Sequence, residues 1–61
     1  MEWQEINFIV DALKLLVGDY ENILRDPSVG EDARSDATND LAYAEILLHK
    51  YENIRSEIAT N

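Results

Sequence analysis

The chain has 61 residues and no cysteine, so disulfide bridges and thiolate metal sites are excluded. Its single histidine cannot hold a structural zinc ion alone. A domain this small buries only about 60% of the surface that its unfolded chain exposes, and it usually needs a disulfide, a metal or a partner for stability. Because 46% of the residues are nevertheless hydrophobic, self-association is the remaining source of stability.

Positive charge is scarce, since five Lys and Arg residues stand against thirteen Asp and Glu for a net charge of −8. Nucleic acids and anionic membranes both attract proteins mainly through Lys and Arg, so we expect neither as a partner. The N-terminal sequence MEWQEI has two acids where a signal peptide has basic residues, and no apolar run is long enough to span a bilayer. These features favour a cytoplasmic location.

Helix-breaking residues are few and lie together in the middle of the chain. The only proline, Pro27, and one of the two glycines, Gly30, are three residues apart, and helix-forming residues dominate on either side. The pattern predicts a single domain at residues 1–61, with a first helix at about 2–25, a turn at 26–30 and a second helix at about 29–59. Two helices joined by so short a turn pack antiparallel as a hairpin.

Apolar residues recur in both predicted helices at the spacing of helix-packing seams. They alternate three and four residues apart from Ile6 to Ile23 and from Ala37 to Ile58, with Arg55 interrupting the second seam. Other apolar residues widen each seam beyond what one partner helix covers. We therefore expect an all-α fold, an antiparallel two-helix hairpin that forms a homodimeric four-helix bundle. The residues expected at a dimer or partner interface are Trp3, Phe8, Val10, Leu15, Val17, Tyr43, Ile46, Leu47 and Ile54.

Acidic residues accumulate around the turn and along the start of the second helix. Ser28 and Glu31 have the S-x-x-E spacing of a capping box, which predicts that Ser28 caps this helix. Negative charge near a helix N-terminus complements the helix dipole and keeps the surface solvated, although a basic partner could use the same surface. The residues of this expected acidic surface are Asp26, Glu31, Asp32, Asp36 and Asp40.

Glu45, His49 and Glu52 share one face of the second helix at spacing i, i+4, i+7 and are candidate metal ligands. Di-iron bundles use Glu-x-x-His, whereas the spacing here is Glu-x-x-x-His. We therefore favour a solvated helix flank with a Glu–His contact, and we expect no cofactor. The chain also offers no cysteine nucleophile, no Gly-rich phosphate loop and no base beside its serines, so we predict that it is not an enzyme.

The tetrapeptide Tyr-Glu-Asn-Ile occurs at 20–23 and again at 51–54. In both copies Tyr and Ile fall on the expected buried face, three residues apart, with Glu and Asn expected to face water. In an antiparallel hairpin the two copies lie at opposite ends and cannot form one site within a monomer, although an antiparallel dimer could bring them together across subunits. Shared helical patterning therefore explains the repeat better than a functional motif does.

Composition and pattern favour a small, non-catalytic protein-interaction module, an acidic hairpin dimer that acts as an adaptor or regulator. An alternative is RNA binding in the manner of the plasmid-encoded Rop hairpin, which is similar in length and expected shape but shares no motif that can be aligned. A ligand-binding bundle would depend on the three candidate metal ligands alone. A structural or mobile-element protein with no separable activity is the remaining alternative.

Overall fold

The computed structural model describes residues 2–60 and contains two helices, α1 (Trp3–Arg25) and α2 (Glu31–Thr60). The two helices pack against each other across a five-residue connection, and residues 2–60 form no strand. This arrangement confirms the predicted all-α helical hairpin. Within the described part of the chain, neither helix is both long and apolar enough to cross a membrane.

The hairpin is a thin rod with extents of 46 × 14 × 14 Å and a radius of gyration of 14.0 Å. A compact domain of this length has a radius of gyration of roughly 10–11 Å. The accessible surface of 4562 Å² also exceeds the value of about 4,000 Å² expected for a monomeric protein of this mass. Two helices side by side therefore leave much of the chain in contact with water.

The core is a single seam where large residues of α1 meet small residues of α2. Among the described residues, the buried apolar side chains are Ile6, Val10, Leu13, Ala37 and Ala44. The three from α1 follow one another at intervals of four and three residues, which keeps them on one helix face. The two alanines of α2 carry only a methyl group, so the backbone of α1 can approach closely there.

The turn is organised by Asp26 rather than by the expected capping box. The Asp26 Oδ1 atom accepts hydrogen bonds from the Ser28 amide at 2.9 Å and from the Ser28 hydroxyl at 2.7 Å. The Ser28 side chain therefore turns towards Asp26, and the prediction that it caps α2 is wrong. The Gly30 carbonyl accepts the first helical bond, from the Arg34 amide at 3.0 Å, so α2 begins at Glu31.

Arg34 fastens the start of α2 to the end of α1. Its Nη1 donates to the Leu24 carbonyl at 2.8 Å, and its Nη2 donates to the Asp26 carbonyl at 2.9 Å. The last carbonyls of a helix have no partner within the helix, and the guanidinium fork satisfies two groups at this end at once. Nothing in the residue pattern singled out Arg34, because its partners are backbone atoms eight and ten residues away.

Arg55 makes the corresponding polar link near the free end of the hairpin, where it interrupts the apolar seam. Its Nη1 donates to Asn7 Oδ1 at 3.4 Å, and its Nη2 lies 4.0 Å from Glu52 Oε2. Arg55 is half-buried, and its guanidinium reaches polar groups of both helices. We call Asn7, Glu52 and Arg55 the Arg55 cluster, and it marks one side of the hairpin as polar.

Candidate interaction surface

The residues expected at an interface are distributed over three environments. Exposed side chains are those of Trp3, Phe8, Leu15, Tyr43 and Ile46, and half-buried ones are those of Val17, Leu47 and Ile54. Val10 is fully buried between the two helices of the same chain. It therefore belongs to the core of the hairpin and offers no surface to a second molecule.

Phe8 and Leu15 form an outer stripe on the back of α1. They are 78% and 73% exposed, and their seven-residue separation places them on one helix face. At about 100° per residue, this face points roughly away from the core residues Ile6 and Leu13. Folding of a single hairpin therefore cannot cover the outer stripe, whatever the rotamers of its two side chains.

The outer stripe is bordered by acids and lies beside a shallow depression. Asp11 falls on one edge of the stripe and Asp19 on the other by helical position, and both are exposed. The depression is lined by Gln4, Asn7, Phe8 and Asp11. All four lining residues come from α1, so the depression lacks an opposing wall from the second helix.

A second set of apolar residues lies on the side of the hairpin, between the two helices. Two seven-residue pairs form its centre, Ile9 with Leu16 on α1 and Leu47 with Ile54 on α2, and Tyr43 adjoins them. Leu16 and Tyr43 are exposed and the other three are half-buried. Helical position puts both pairs on the side opposite the Arg55 cluster. We call these five residues the apolar side.

The acidic residues around the turn are all exposed, as their roles in solvation require. Asp40, Leu47 and Ile54 follow one another every seven residues, so one line along α2 changes from acidic near the turn to apolar near the free end. The Ser28 hydroxyl and amide hold the pKa of Asp26 below its usual value of 3.8, and the nearby Arg34 lowers this pKa further. The carboxylate of Asp26 therefore stays charged to a lower pH than an ordinary aspartate does.

The three candidate metal ligands do not come together. Within residues 2–60, no group of three His, Cys, Asp or Glu side chains could hold a metal ion. Glu45 and His49 are exposed, and the carboxylate of Glu52 lies 4.0 Å from the Arg55 guanidinium. A positive neighbour at that distance opposes the binding of a metal ion at Glu52.

The two Tyr-Glu-Asn-Ile copies have matching environments at opposite ends of the hairpin. Tyr and Ile are half-buried in both copies, and Asn22 and Asn53 are exposed, as expected. The glutamates differ from expectation, because Glu21 and Glu52 are half-buried rather than fully solvated. The Glu52 carboxylate lies 4.0 Å from the Arg55 guanidinium.

No family model, no curated protein and no solved structure matches this chain.

Proposed function

We propose that the protein is a non-catalytic protein-interaction module that pairs with a second copy through its apolar side and presents its outer stripe to another protein. The observation that supports this proposal most is the exposure of Phe8 and Leu15, on a face that the hairpin itself cannot cover. Exposed apolar side chains with polar residues at their borders are typical of protein-interaction sites. The same pattern along the apolar side supports self-association.

The size of the hairpin is an independent reason for a dimer. Only five apolar side chains are buried among the described residues, and two of them are alanines. Each fully buried large apolar side chain contributes about 1.5–3 kcal/mol, so this core is small against the cost of ordering 61 residues. Covering Leu16 and Leu47 with a second copy would enlarge the core without lengthening the chain.

The partner of the outer stripe would be an apolar segment with basic residues at its edges. Asp11 and Asp19 border the stripe, and the chain carries a net charge of −8. Complementary charge at the rim speeds association and selects among partners, while the apolar centre supplies most of the affinity. A module of this kind acts as an adaptor or as a regulator that occupies the partner's own apolar site.

Two further observations support a binding role over catalysis and over RNA recognition. The described depression on α1 has walls from one helix only, and His49 lies exposed on the other helix. Of the five bases, Arg34 and Arg55 already donate hydrogen bonds within the hairpin. The Rop-like RNA-binding alternative would therefore have to rely on Lys14, Arg25 and Lys50, and no observation favours it.

Adjacent leucines provide a matched test of the proposed dimer. Leu16 lies on the apolar side and Leu15 on the outer stripe, so the same substitution can be compared one residue apart. We expect the native protein to sediment at about 14 kDa, twice the chain mass of 7.0 kDa. We expect Leu16→Glu to shift this equilibrium to monomer and Leu15→Glu to leave it unchanged, as measured by sedimentation equilibrium over a concentration series.

Circular dichroism should show that both leucine variants remain helical. A native protein that stays monomeric at every concentration would contradict the proposed self-association. If Leu15→Glu dissociates the dimer and Leu16→Glu has no effect, the dimer contact lies on the outer stripe, which contradicts the proposed contact on the apolar side.

A further inference from the structure

We infer that the second copy docks antiparallel on the apolar side, so that the turn of each hairpin lies beside the free end of the other. The inference rests on the proposed dimer and adds its orientation and its register. Three observations carry it: the dimensions of the hairpin, the distribution of acids along α2 and the position of Lys50. Each observation limits how two copies can pack face to face.

The dimensions favour an overlap of the two hairpins along nearly their whole length. A face of 46 × 14 Å has a projected area of about 640 Å², close to the roughly 800 Å² of accessible surface that each partner of a stable complex buries. A dimer that overlapped over half this length would bury about half as much. Full antiparallel overlap places the two-fold axis level with Glu45 along the hairpin, at the middle of α2 (Glu31–Thr60).

This register brings Tyr43 and Leu47 together and pairs opposite charges at Asp40 and Lys50. With the axis near Glu45, Tyr43 lies level with Leu47 of the second copy, and the converse contact follows from symmetry. Asp40 lies level with Lys50 of the second copy. A two-fold dimer repeats this contact, so two Asp40–Lys50 pairs flank the apolar centre.

Lys50 lies beside the side that the second copy would cover, four residues and about 40° around α2 from Ile54. Its Nζ atom lies 5.6 Å from the centroid of the half-buried Tyr51 ring. A cation over an aromatic face keeps its charge partly exposed, and an acid from a neighbouring molecule can still approach it. Within one chain, Asp40 and Lys50 are ten residues apart on the same helix, about 15 Å along its axis, which is too far for direct contact.

A parallel dimer, with both turns at the same end, would bring like charges together. Three acids lie near the turn on or beside the docking side, namely Asp19, Asp36 and Asp40. In a parallel dimer this group would lie close to the same group of the second copy. The bases of residues 17–43 cannot neutralise them. Arg34 is engaged with two carbonyls. Ile23 continues the seven-residue row of Ile9 and Leu16 along the docking side, and Arg25 lies about 160° from Ile23 around α1, on the other side.

Charge substitutions at Asp40 and Lys50 test the orientation through the sign of their effects. We expect Asp40→Lys to weaken the antiparallel dimer, because it places two lysines opposite each other. The same substitution would tighten a parallel dimer by reducing acid repulsion. We expect Lys50→Glu to raise the dimer dissociation constant about tenfold, since two symmetric pairs become repulsive, and the double variant to recover most of this loss.

Lys14→Glu is the matched control, since it makes the same charge change on the polar side of α1. It should alter the dissociation constant much less than Lys50→Glu does, as measured by sedimentation equilibrium at low salt. Tighter association of Asp40→Lys, or absence of recovery in the double variant, would overturn the antiparallel arrangement.

A distance measurement separates the orientation from the existence of the dimer. The native chain has no cysteine, so a spin label at Pro27→Cys reports one distance between the two turns. We expect a separation comparable to the 46 Å length of the hairpin, whereas turns at the same end would be separated by about its 14 Å thickness. Glu31→Cys, also exposed and near the turn, repeats the measurement in case loss of the proline disturbs the turn.

The possible results have distinct meanings. A dimer with the long distance supports the inference, and a dimer with the short distance overturns it while the proposed dimer stands. A monomer, which gives no intermolecular distance at all, overturns both.

Discussion

The two halves of the hairpin are held together by different forces. In the free half, residues 3–16 and 44–60, the large buried side chains Ile6, Val10 and Leu13 pack against α2. In the turn half, residues 17–43, the buried apolar side chain among the described residues is Ala37. There Arg34 and Asp26 hold the chain with hydrogen bonds to the end of α1 and to Ser28.

This difference shows how a short chain can combine a stable fold with a highly charged segment. The start of α2 is rich in Asp and Ala, so it has little apolar surface to bury and cannot extend the core. Polar contacts at the turn restrict the two helix ends instead. The same division recurs on the surface, where the flank of α2 is acidic near the turn and apolar near the free end. The proposed dimer uses both parts, the apolar one for burial and the acidic one for orientation.

The largest effect on stability is expected when apolar packing is removed from the free half. Ile6 is fully buried, and Ile6→Ala should lower the free energy of unfolding by about 3 kcal/mol through lost burial and the cavity left behind. Phe8→Ala is the matched control, because Phe8 is exposed on the same helix and its loss should change stability by less than about 0.5 kcal/mol. Urea unfolding at one fixed protein concentration measures both. Equal effects of the two substitutions would contradict the assigned core.

The turn half should respond to the loss of its guanidinium fork. Arg34→Gln should lower the free energy of unfolding by about 1 kcal/mol, because two charge-assisted hydrogen bonds to carbonyls near the protein surface are lost. Arg34→Lys keeps the charge but cannot bind two carbonyls with a planar fork, so most of this loss should remain. Amide hydrogen exchange should accelerate around residues 24–34 more than around residues 6–13. Full rescue by lysine would show that charge alone matters at this position.

A smaller gain of stability is expected at Gly18, which lies inside α1 at the edge of the turn half. A β-carbon added there would meet no atom within 4 Å, so Gly18→Ala should stabilise the hairpin by about 0.5–1 kcal/mol through helix propensity. Gly30→Ala is the control, because Gly30 precedes the first residue of α2 and its β-carbon is equally unobstructed. It should bring no comparable gain, since alanine is a poor N-cap. Thermal unfolding by circular dichroism distinguishes the two.

The smallest expected effect is the pH dependence that Asp26 contributes. Its pKa in the folded state is lowered, so the stability that it supplies is present above the unfolded value of 3.8 and is lost as the pH falls through the folded value. Asp26→Asn can still accept hydrogen bonds from Ser28 but does not titrate. The native protein should therefore be slightly more stable than the variant at pH 7, and the difference should shrink as the pH falls below 3.8. A difference that stays constant over this range would contradict the assignment.

Apolar periodicity was enough to predict the hairpin, because three-and-four spacing on both sides of Pro27 leaves few other ways to bury Ile6 and Leu13. It also predicted exposed apolar residues at Phe8 and Leu15, which lie off the seam. It misassigned Ser28, since the spacing to Glu31 fits a capping box and the competing Asp26 is only two residues away. It placed Val10 among interface residues because a widened seam does not reveal which of its edges faces the neighbouring helix.

The order of residues along the chain suffices for the helices, their turn and the −8 charge, since these depend on contacts between near neighbours and on composition. The arrangement of the two helices in space decided the rest. It directed Arg34 to one carbonyl of α1 and one of the turn, gave Arg55 a hydrogen bond to Asn7, and placed Leu16 and Leu47 on one side of the hairpin. These contacts join residues far apart in the chain, and they exist only once the rotation of each helix about its axis is set by packing.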